Sequence, residues 1–193
     1  MNTKMLDFSA KVVFLTGGGG EIGARTAQLF IRQGGKVVST DVGFPESIDS
    51  ADFAANPVKF ALDVTDKSRV GAAVAAVVKN CGRLDVVVNA AGVLNIKPFL
   101  EISEQEWERS FAVNVKGTFF VCQEALKRMI RQGSGCFVNF ASISGKVGGV
   151  LAGADYSASK AAVICLTKSL AKVGVPSAIG VNSVAPGPSF GAM

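Results

Sequence analysis

A tyrosine and a lysine four residues apart, Tyr156 and Lys160, are the residues whose types and spacing point most directly to chemistry. In a helix this spacing places the two side chains one turn apart on the same face, so that an ammonium can lie beneath a phenol. Such a pair is a candidate acid and base. The alternative is an ordinary helix surface, on which Tyr156 is amphipathic and Lys160 is solvated.

The absence of histidine from the sequence narrows the possible chemistry. Ser–His and Cys–His nucleophiles are excluded, and proton transfer near neutral pH must use a perturbed Tyr, Lys, Cys or carboxylate. The four cysteines are widely scattered and form no C-x-x-C pair, so we expect reduced thiols, mostly buried, and no metal site. They are Cys81, Cys122, Cys136 and Cys165.

Length and composition favour a single globular domain over residues 1–193, with 49% hydrophobic and 18% charged residues. No apolar run approaches the roughly 20 residues of a membrane span, and the N-terminus lacks the apolar segment of a signal peptide. We therefore expect a cytoplasmic protein that contacts no membrane. The net charge of +5 comes from dispersed basic residues, which favours an anionic cofactor over nucleic acid as the partner.

Short β-branched and aromatic runs alternate with helical patterns along the chain. The runs are apolar almost throughout, which is typical of parallel strands covered on both faces. The sequence therefore predicts an α/β fold, a doubly wound Rossmann-type parallel sheet of about six strands with helices on both faces. The predicted strands are 11–16, 36–41, 58–63, 84–90, 135–141 and 179–185.

The predicted helices have recognisable start signals. Thr65 is expected to cap a helix that runs to about residue 80, and Ser103 with Glu106 has the spacing of a capping box. The helix after that box is expected to run to about residue 132 with a kink near residues 114–117. A further helix, from Tyr156 to about Val173, carries the tyrosine and the lysine.

Four consecutive glycines, residues 17–20, separate the first predicted strand from a helix. Such a turn lets a pyrophosphate approach the N–H groups and positive end of the helix, although a tight turn without a ligand would look the same. Asp41, at the end of the second strand, could accept hydrogen bonds from the ribose hydroxyls of a dinucleotide. It would also repel a 2′-phosphate, so NAD is favoured over NADP.

In order and spacing, these motifs resemble the short-chain dehydrogenase/reductase family, in its compact single-domain branch, from about residue 8 to residue 187. The residues that carry the resemblance are Thr16-Gly-Gly-Gly-Gly-Glu-Ile-Gly23, Asp63-Val64, Asn89-Ala-Ala-Gly92, Asn114-Val115, Ser142, Tyr156-Ser-Ala-Ser-Lys160 and Pro186-Gly187. The resemblance implies an oxidoreductase that interconverts a secondary alcohol and a ketone by hydride transfer.

The resemblance also implies roles for four catalytic residues. Tyr156 would be the acid/base, and Lys160 would lower its pKa and hold the nicotinamide ribose. Ser142, preferred over Ser144 because it lies at a strand end, would bind the substrate oxygen, and Asn114 would support a proton relay through water. Lowering a tyrosine pKa from near 10 by roughly three units requires about 4 kcal/mol of phenolate stabilisation.

The cofactor-binding residues implied by the resemblance lie at the strand ends. Asp63 and Val64 would line the adenine end, and the segment from Asn89 to Gly92 would brace the central strand. For Asn89 and Asn114 a purely structural role is an equal alternative. The full set is Gly17, Gly20, Ile22, Gly23, Asp41, Asp63, Val64, Asn89, Ala91, Gly92, Tyr156, Lys160, Pro186 and Gly187.

The sequence departs from the family pattern in two places. Glu21 stands where a glycine is usual, and we expect Gly20 to take over the flexible position. The chain also ends six residues after Gly187, so we expect the substrate-covering segment, another helix and a seventh edge strand to be missing. These departures favour an alternative, a catalytically impaired nucleotide-binding protein with a regulatory or structural role.

The sequence says least about substrate and assembly. The segments that would contact a substrate, residues 94–99 and 143–153, are apolar or glycine-rich, which indicates a mildly apolar molecule. By resemblance, the protein is expected to form a homodimer or homotetramer. Its pairing would use the helix before Gly133 and the helix that carries Tyr156.

Overall fold

Within the residues described by the computed structural model, 6–149 and 152–187, six parallel strands form one sheet in the order β3-β2-β1-β4-β5-β6. The order reverses at β1, which pairs in parallel with β2 on one side and with β4 on the other. Ligands of such sheets bind at this reversal, beyond the carboxyl ends of the strands. The strands are β1 Val12–Thr16, β2 Lys36–Asp41, β3 Val58–Ala61, β4 Val86–Asn89, β5 Gly135–Phe140 and β6 Ile179–Val184.

Helices connect the strands, and the predicted doubly wound α/β fold is confirmed. One segment of π-helix, Ala112–Gly117, joins the third and fourth helices at the position of the predicted kink. Three short 3-10 helices cover Ile48–Ser50, Phe99–Glu101 and Val175–Ser177. The α-helices are α1 Glu21–Arg32, α2 Lys67–Cys81, α3 Glu104–Phe111, α4 Thr118–Gln132, α5 Ser144–Val147 and α6 Ala154–Gly174.

The helix caps show where local sequence rules succeed and fail. The capping box before α3 is confirmed, with the Ser103 N–H donating to Glu106 Oε2 at 2.9 Å and the Glu106 N–H donating to Ser103 Oγ at 3.3 Å. The expected cap at Thr65 is wrong, because Asp66 caps α2 instead. Thr65 donates its hydroxyl to Asp63 Oδ1 at 2.7 Å, in a turn that ends before the helix begins.

Strand β1 is buried on both faces, which explains its unbroken apolar run. Val12 and Phe14 belong to one hydrophobic cluster, on the side of α2, α4 and α6. Val13 and Leu15 belong to a second cluster, on the side of α1. Because successive side chains of a strand point to opposite faces, both faces of β1 need apolar residues.

A buried carboxylate ties together the amino ends of the central strands. Asp85 is 7% exposed, and its Oδ2 accepts the Val12 N–H at 2.9 Å and the Arg83 Nε–H at 2.7 Å. Burial by itself raises the pKa of Asp85, but the hydrogen bonds from Arg83 and Val12, with the charges of Arg83 and Lys11, outweigh burial and lower the pKa. The interaction therefore stabilises the fold only while Asp85 is ionised.

We predict that Asp85→Asn lowers the free energy of unfolding at pH 7 by about 1–3 kcal/mol, because Arg83 loses its charged partner. The folded pKa lies below the unfolded value of about 4, so this stabilisation is present above pH 4 and is lost as pH falls through the folded pKa. Thermal unfolding of both proteins from pH 7 to pH 3 measures the effect. The exposed Asp49→Asn variant is the control, and a wild-type advantage that stays constant down to pH 3 would contradict the prediction.

Candidate active site

Backbone atoms leave no room for a side chain at Gly17, in the glycine turn after β1, or at Gly23, in α1. Gly17 has a positive φ of 75°, and a Cβ there would lie 2.5 Å from the Ala91 backbone nitrogen. A Cβ on Gly23 would lie 2.1 Å from the Gly17 carbonyl oxygen, so α1 packs directly on the turn. No described side chain caps the start of α1 at Gly20. The first-turn N–H groups thus fit an anionic pyrophosphate.

The structure changes the interpretation of Gly20 and Glu21. Gly20 has an extended backbone, with φ −75° and ψ 159°, and a Cβ there would make an ordinary contact at 3.6 Å. The expectation that Gly20 takes over the flexible position is therefore wrong, since Gly17 holds the left-handed conformation. The Glu21 carboxylate pairs with Arg25 at 2.6 Å, one turn along α1, and this cation offsets its charge.

Asp41 lies against the same turn, at the carboxyl end of β2. Its Oδ2 accepts the Gly19 N–H and its Oδ1 accepts the Gly43 N–H, both at 2.9 Å. A Cβ on Gly19 would come within 2.8 Å of the Asp41 carboxyl carbon. Each carboxylate oxygen keeps further acceptor capacity, which a pair of ribose hydroxyls could use.

The end of β4 joins the glycine turn to the lysine. Ala91, which the Gly17 position touches, is followed by Gly92, where a Cβ would lie 3.4 Å from Lys160 Nζ and 3.2 Å from Asn114 Oδ1. The glycine turn thus approaches Ala91, and Lys160 and Asn114 approach the next residue, Gly92. One elongated ligand can reach both.

Tyr156, Lys160 and Ser142 meet beyond the end of β5. Lys160 Nζ lies 5.7 Å from the Tyr156 ring centroid and donates to the Phe140 carbonyl oxygen at 2.8 Å. Ser142 is buried, and a hydrogen bond from its side chain acts to lower the pKa of the Tyr156 phenol. Ser144 is tied to Ser142 through its backbone, with its N–H donating to Ser142 Oγ at 3.2 Å. Ser142, not Ser144, therefore contacts the tyrosine.

Burial dominates the electrostatics of this pair. It lowers the pKa of Lys160 to about 8. It also raises the pKa of Tyr156, and the hydrogen bond from Ser142 lowers that pKa only in part. The direction for Tyr156 is opposite to that expected from the resemblance, because burial disfavours the phenolate and Lys160 bonds to a main-chain carbonyl instead of the phenol.

The Asn114 side chain braces the site, and its amide nitrogen makes two hydrogen bonds. Its Oδ1 accepts the Val93 N–H at 2.8 Å, and its Nδ2 donates to the Val93 carbonyl at 3.0 Å and to Ser159 Oγ at 2.9 Å. Ser159 in turn donates to the Tyr156 carbonyl oxygen at 2.7 Å. A water relay could use the second lone pair of Asn114 Oδ1 or the Asn114 main-chain carbonyl, which also accepts the Thr118 hydroxyl at 2.8 Å.

Asn89 and Val64, which were expected to contact the cofactor, are buried inside the fold. Asn89 is 3% exposed, and its Nδ2 donates to Asn139 Oδ1 at 2.8 Å between β4 and β5. Val64 is buried so tightly that a Cβ on Gly117 would lie 2.5 Å from its Cγ2. The structural role considered for Asn89 is the one that its side chain has here.

The other expected residues lie around the carboxyl edge of the sheet. Asp63 is exposed and accepts the Thr65 N–H in its turn. Ile22 is half-buried in the first turn of α1. The Pro186 carbonyl accepts the Ile143 N–H at 2.9 Å, which ties the segment after β6, including the exposed Gly187, to the Ser142 loop. The C-terminal departure concerns residues 188–193, which lie outside the described residues.

Sequence reasoning missed a second set of contacts around Tyr156. Asp155 is fully buried and accepts a hydrogen bond from the Ser110 hydroxyl of α3. Ser159 lies within the Tyr156–Lys160 motif, which was a signal for its role. Asp155 offered no comparable signal, because an acid in the first turn of a helix is usually exposed.

A cavity of about 570 Å³ lies between the loop after β4 and the loop before α6, at the start of α6. Ala154 and Ser157, which flank Tyr156 in the sequence, form one side of it. Its Lys97 ammonium is paired with Glu106 at 2.6 Å, which leaves the lining mostly apolar. The lining residues are Ile96, Lys97, Pro98, Phe99, Gly148, Gly149, Ala152, Ala154 and Ser157.

Comparison with known proteins agrees with this geometry. The sequence profile of the short chain dehydrogenase family matches residues 11–193. The chain belongs to the short-chain dehydrogenase family. Members of the family use nicotinamide cofactors. The glycine turn, Ser142, Tyr156 and Lys160 therefore lie in an oxidoreductase fold of known kind.

The relatives of this short-chain dehydrogenase differ in the substrates that their names indicate. It is 35% identical to a sorbitol dehydrogenase of Cereibacter sphaeroides, covering 92% of this chain and 70% of the relative. It is 38% identical to a 3-oxoacyl-(acyl-carrier-protein) reductase of Thermotoga maritima, with 92% and 73% covered. It is 36% identical to a cyclopentanol dehydrogenase of Comamonas testosteroni, with 92% and 72% covered.

Two further structural findings are negative. Across residues 6–149 and 152–187, no three Cys, Asp or Glu side chains lie together in a group that could bind a metal ion. None of the helices in the same part of the chain combines the length and apolar character that crossing a membrane would require.

Tyr156 is the only tyrosine in the sequence, so its phenolate absorbance reports on the site directly. We predict a titration midpoint above 10 in the cofactor-free protein, because burial raises the pKa of Tyr156. Ser142→Ala should raise it further by removing the hydrogen bond that lowers this pKa. Ser144→Ala is the matched control and should leave it unchanged. Spectrophotometric titration measures all three, and a wild-type midpoint at or below 10 would refute the prediction.

Proposed function

We propose that this short-chain dehydrogenase is an NAD-dependent oxidoreductase that interconverts a secondary alcohol and a ketone, with residues 1–193 acting as one domain. The observation that carries the proposal is the grouping of three side chains. Ser142 acts on the Tyr156 phenol, and the Nζ atom of the buried Lys160 lies 5.7 Å from the Tyr156 ring centroid. This group lies at the end of β5, next to the glycine turn. The arrangement supplies a proton donor and acceptor beside a cofactor-binding edge.

The two hydroxyls have complementary tasks in this proposal. Ser142 Oγ donates a hydrogen bond to the substrate oxygen and keeps it beside the phenol. Tyr156 accepts the proton of an alcohol as it is oxidised, or donates a proton to a carbonyl as it is reduced. The Ser159 hydroxyl holds the Tyr156 carbonyl at 2.7 Å, so the phenol starts from a fixed backbone position. A bound nicotinamide supplies the hydride donor or acceptor at its C4 atom.

Lys160 supplies charge to the same step. With its pKa at about 8, it is largely protonated at neutral pH, and its ammonium favours the phenolate. In the cofactor-free protein this is not enough to offset the burial of Tyr156, whose pKa is raised. We infer that a bound, oxidised nicotinamide contributes the remaining positive charge. Lys160 would also hold the nicotinamide ribose, for which the adjacent Gly92 leaves space.

The remaining cofactor contacts are proposed from position. The turn from Gly17 to Gly20, with Ile22 and Gly23, would hold the pyrophosphate at the start of α1. Asp41 would accept the ribose hydroxyls, as its place beside Gly19 supports. Asp63 would border the adenine. Asn89 and Val64 would affect cofactor binding indirectly, by stabilising the fold around the site, since both are buried.

For the substrate we propose a mildly apolar molecule, because the cavity at the start of α6 includes Ile96, Pro98 and Phe99 and its one ammonium is paired. We also propose a cytoplasmic protein that assembles as a homodimer or homotetramer through α4 and α6. The exposed Phe119 and Ile130 on α4 are apolar residues that such pairing would cover.

The activity is tested by following NADH absorbance with NAD and a panel that contains sorbitol, cyclopentanol and a 3-hydroxyacyl thioester. We expect turnover of at least one compound, with Tyr156→Phe reducing it at least about a thousandfold, because the proton acceptor is lost. Cofactor binding by calorimetry should survive in this variant. Binding without turnover in the wild type would favour the impaired regulatory alternative, and absence of NAD binding would overturn both functions.

The cofactor preference is tested at Asp41. We expect Asp41→Ala to lower the NAD-over-NADP ratio of kcat/KM by about tenfold or more, about 1.4 kcal/mol, because the repulsion of a 2′-phosphate is removed. Asp63→Ala, at the end of the next strand, is the control and should leave the ratio near the wild-type value. An unchanged ratio in Asp41→Ala would show that this carboxylate does not contact the ribose.

A further inference from the structure

Tyr156 lies in the first turn of α6, and that turn begins without the usual cap. Gly153 is the N-cap residue, and no described side chain accepts a hydrogen bond from the first-turn N–H groups. A helix that begins at glycine has no side chain of its own to accept the first-turn N–H groups, so it is slightly less stable than one capped by Ser, Thr, Asp or Asn. The position of the Tyr156 phenol therefore depends on contacts from outside the helix.

The Asp155 side chain of this turn is hydrogen-bonded to α3. Asp155 is fully buried, and its Oδ2 accepts the hydroxyl hydrogen of Ser110, which is itself 2% exposed on α3. The turn has a second anchor in its backbone, where the Gly153 N–H donates to the Asn95 carbonyl oxygen at 2.7 Å. A Cβ on Gly153 would lie 2.4 Å from Asp155 Oδ1, so the carboxylate is enclosed on this side as well.

A buried carboxylate is a costly way to anchor a helix. Its Oδ1 has no hydrogen-bond partner among the described residues, and only Oδ2 is satisfied by a protein donor. The positive end of α6 offsets part of the cost. What the carboxylate adds over an apolar residue is a strong and directed bond to α3, since hydrogen bonds to charged acceptors are about twice as strong as neutral ones.

We propose that Asp155 is a positioning residue, whose hydrogen bond to Ser110 fixes the first turn of α6 so that the Tyr156 phenol stays at the Ser142 hydroxyl. The effect on turnover rests on the proposed function. The effect on the titration of Tyr156 does not, because that measurement needs neither cofactor nor substrate.

Three variants test the bond, and one serves as the control. Asp155→Ala and Ser110→Ala each remove it, whereas Asp155→Asn keeps an acceptor for the Ser110 hydroxyl. Thr167→Ala is the control, because Thr167 is a buried hydroxyl of the same helix that donates to the Val163 carbonyl at 2.7 Å, away from the tyrosine. For each protein we would measure the Tyr156 titration midpoint, kcat, the cofactor Kd and Tm.

We expect Asp155→Ala and Ser110→Ala to raise the titration midpoint of Tyr156, because the Ser142 hydrogen bond that lowers this pKa is weakened. Both should lower kcat by about tenfold or more while the cofactor Kd changes little. Asp155→Asn should restore most of both values. The double variant should be no worse than the single ones, since the two residues act through one bond.

A merely structural role predicts a different result, in which Tm falls and the midpoint and kcat stay at wild-type values. That result, or an equal midpoint shift in Thr167→Ala, would overturn the proposal. If Asp155→Ala does not fold, Ser110→Ala decides, because it leaves the carboxylate in place. A wild type without turnover would end the proposed function, and the midpoints would still decide whether Asp155 positions the tyrosine.

Discussion

The close approach of three backbone segments at the end of β4 is the constraint on which the site depends. The left-handed turn at Gly17 presses against the Ala91 nitrogen, and α1 presses against the turn at Gly23. At the next residue, a Cβ on Gly92 would lie 3.4 Å from Lys160 Nζ. A larger residue at Gly17 would push the turn away from Ala91, and one at Gly23 would push α1 away from the turn. A dinucleotide bound as proposed would contact both the glycine turn and Lys160, and the glycine turn keeps its place because backbone packs directly on backbone at Gly17 and Gly23.

Burial then sets the charge states within the site. It lowers the pKa of Lys160 to about 8 and raises that of Tyr156, because each charged form loses water. Both groups are thus biased toward their neutral forms, and each needs a partner in order to ionise. Lys160 finds one in the Phe140 carbonyl. For Tyr156 the hydrogen bond from Ser142 lowers the pKa less than burial raises it.

Hydrogen bonds from other elements also hold the helical turn that carries Tyr156. Ser159 links its carbonyl to Asn114, in a π-helical segment that places this side chain between α6 and the loop after β4. Asp155 links the same turn to Ser110. Packing of side chains in close contact converts these bonds into a defined position for the phenol. The position of the phenol therefore depends on contacts from α3 and the π-helix as well as on α6 itself.

Local patterns in the sequence determined the strand and helix order, the capping box at Ser103 and the family motifs, because these depend on neighbouring residues. Strand ends and the cap of α2 were off by a few residues. Only the tertiary structure decided that Gly17 takes the left-handed turn in place of Gly20, and that Asn89 lies inside the fold. The Ser110–Asp155 and Asn114–Ser159 bonds each join residues 45 positions apart. Contacts at that separation leave no periodic trace in a single sequence, since the fold alone brings their partners together.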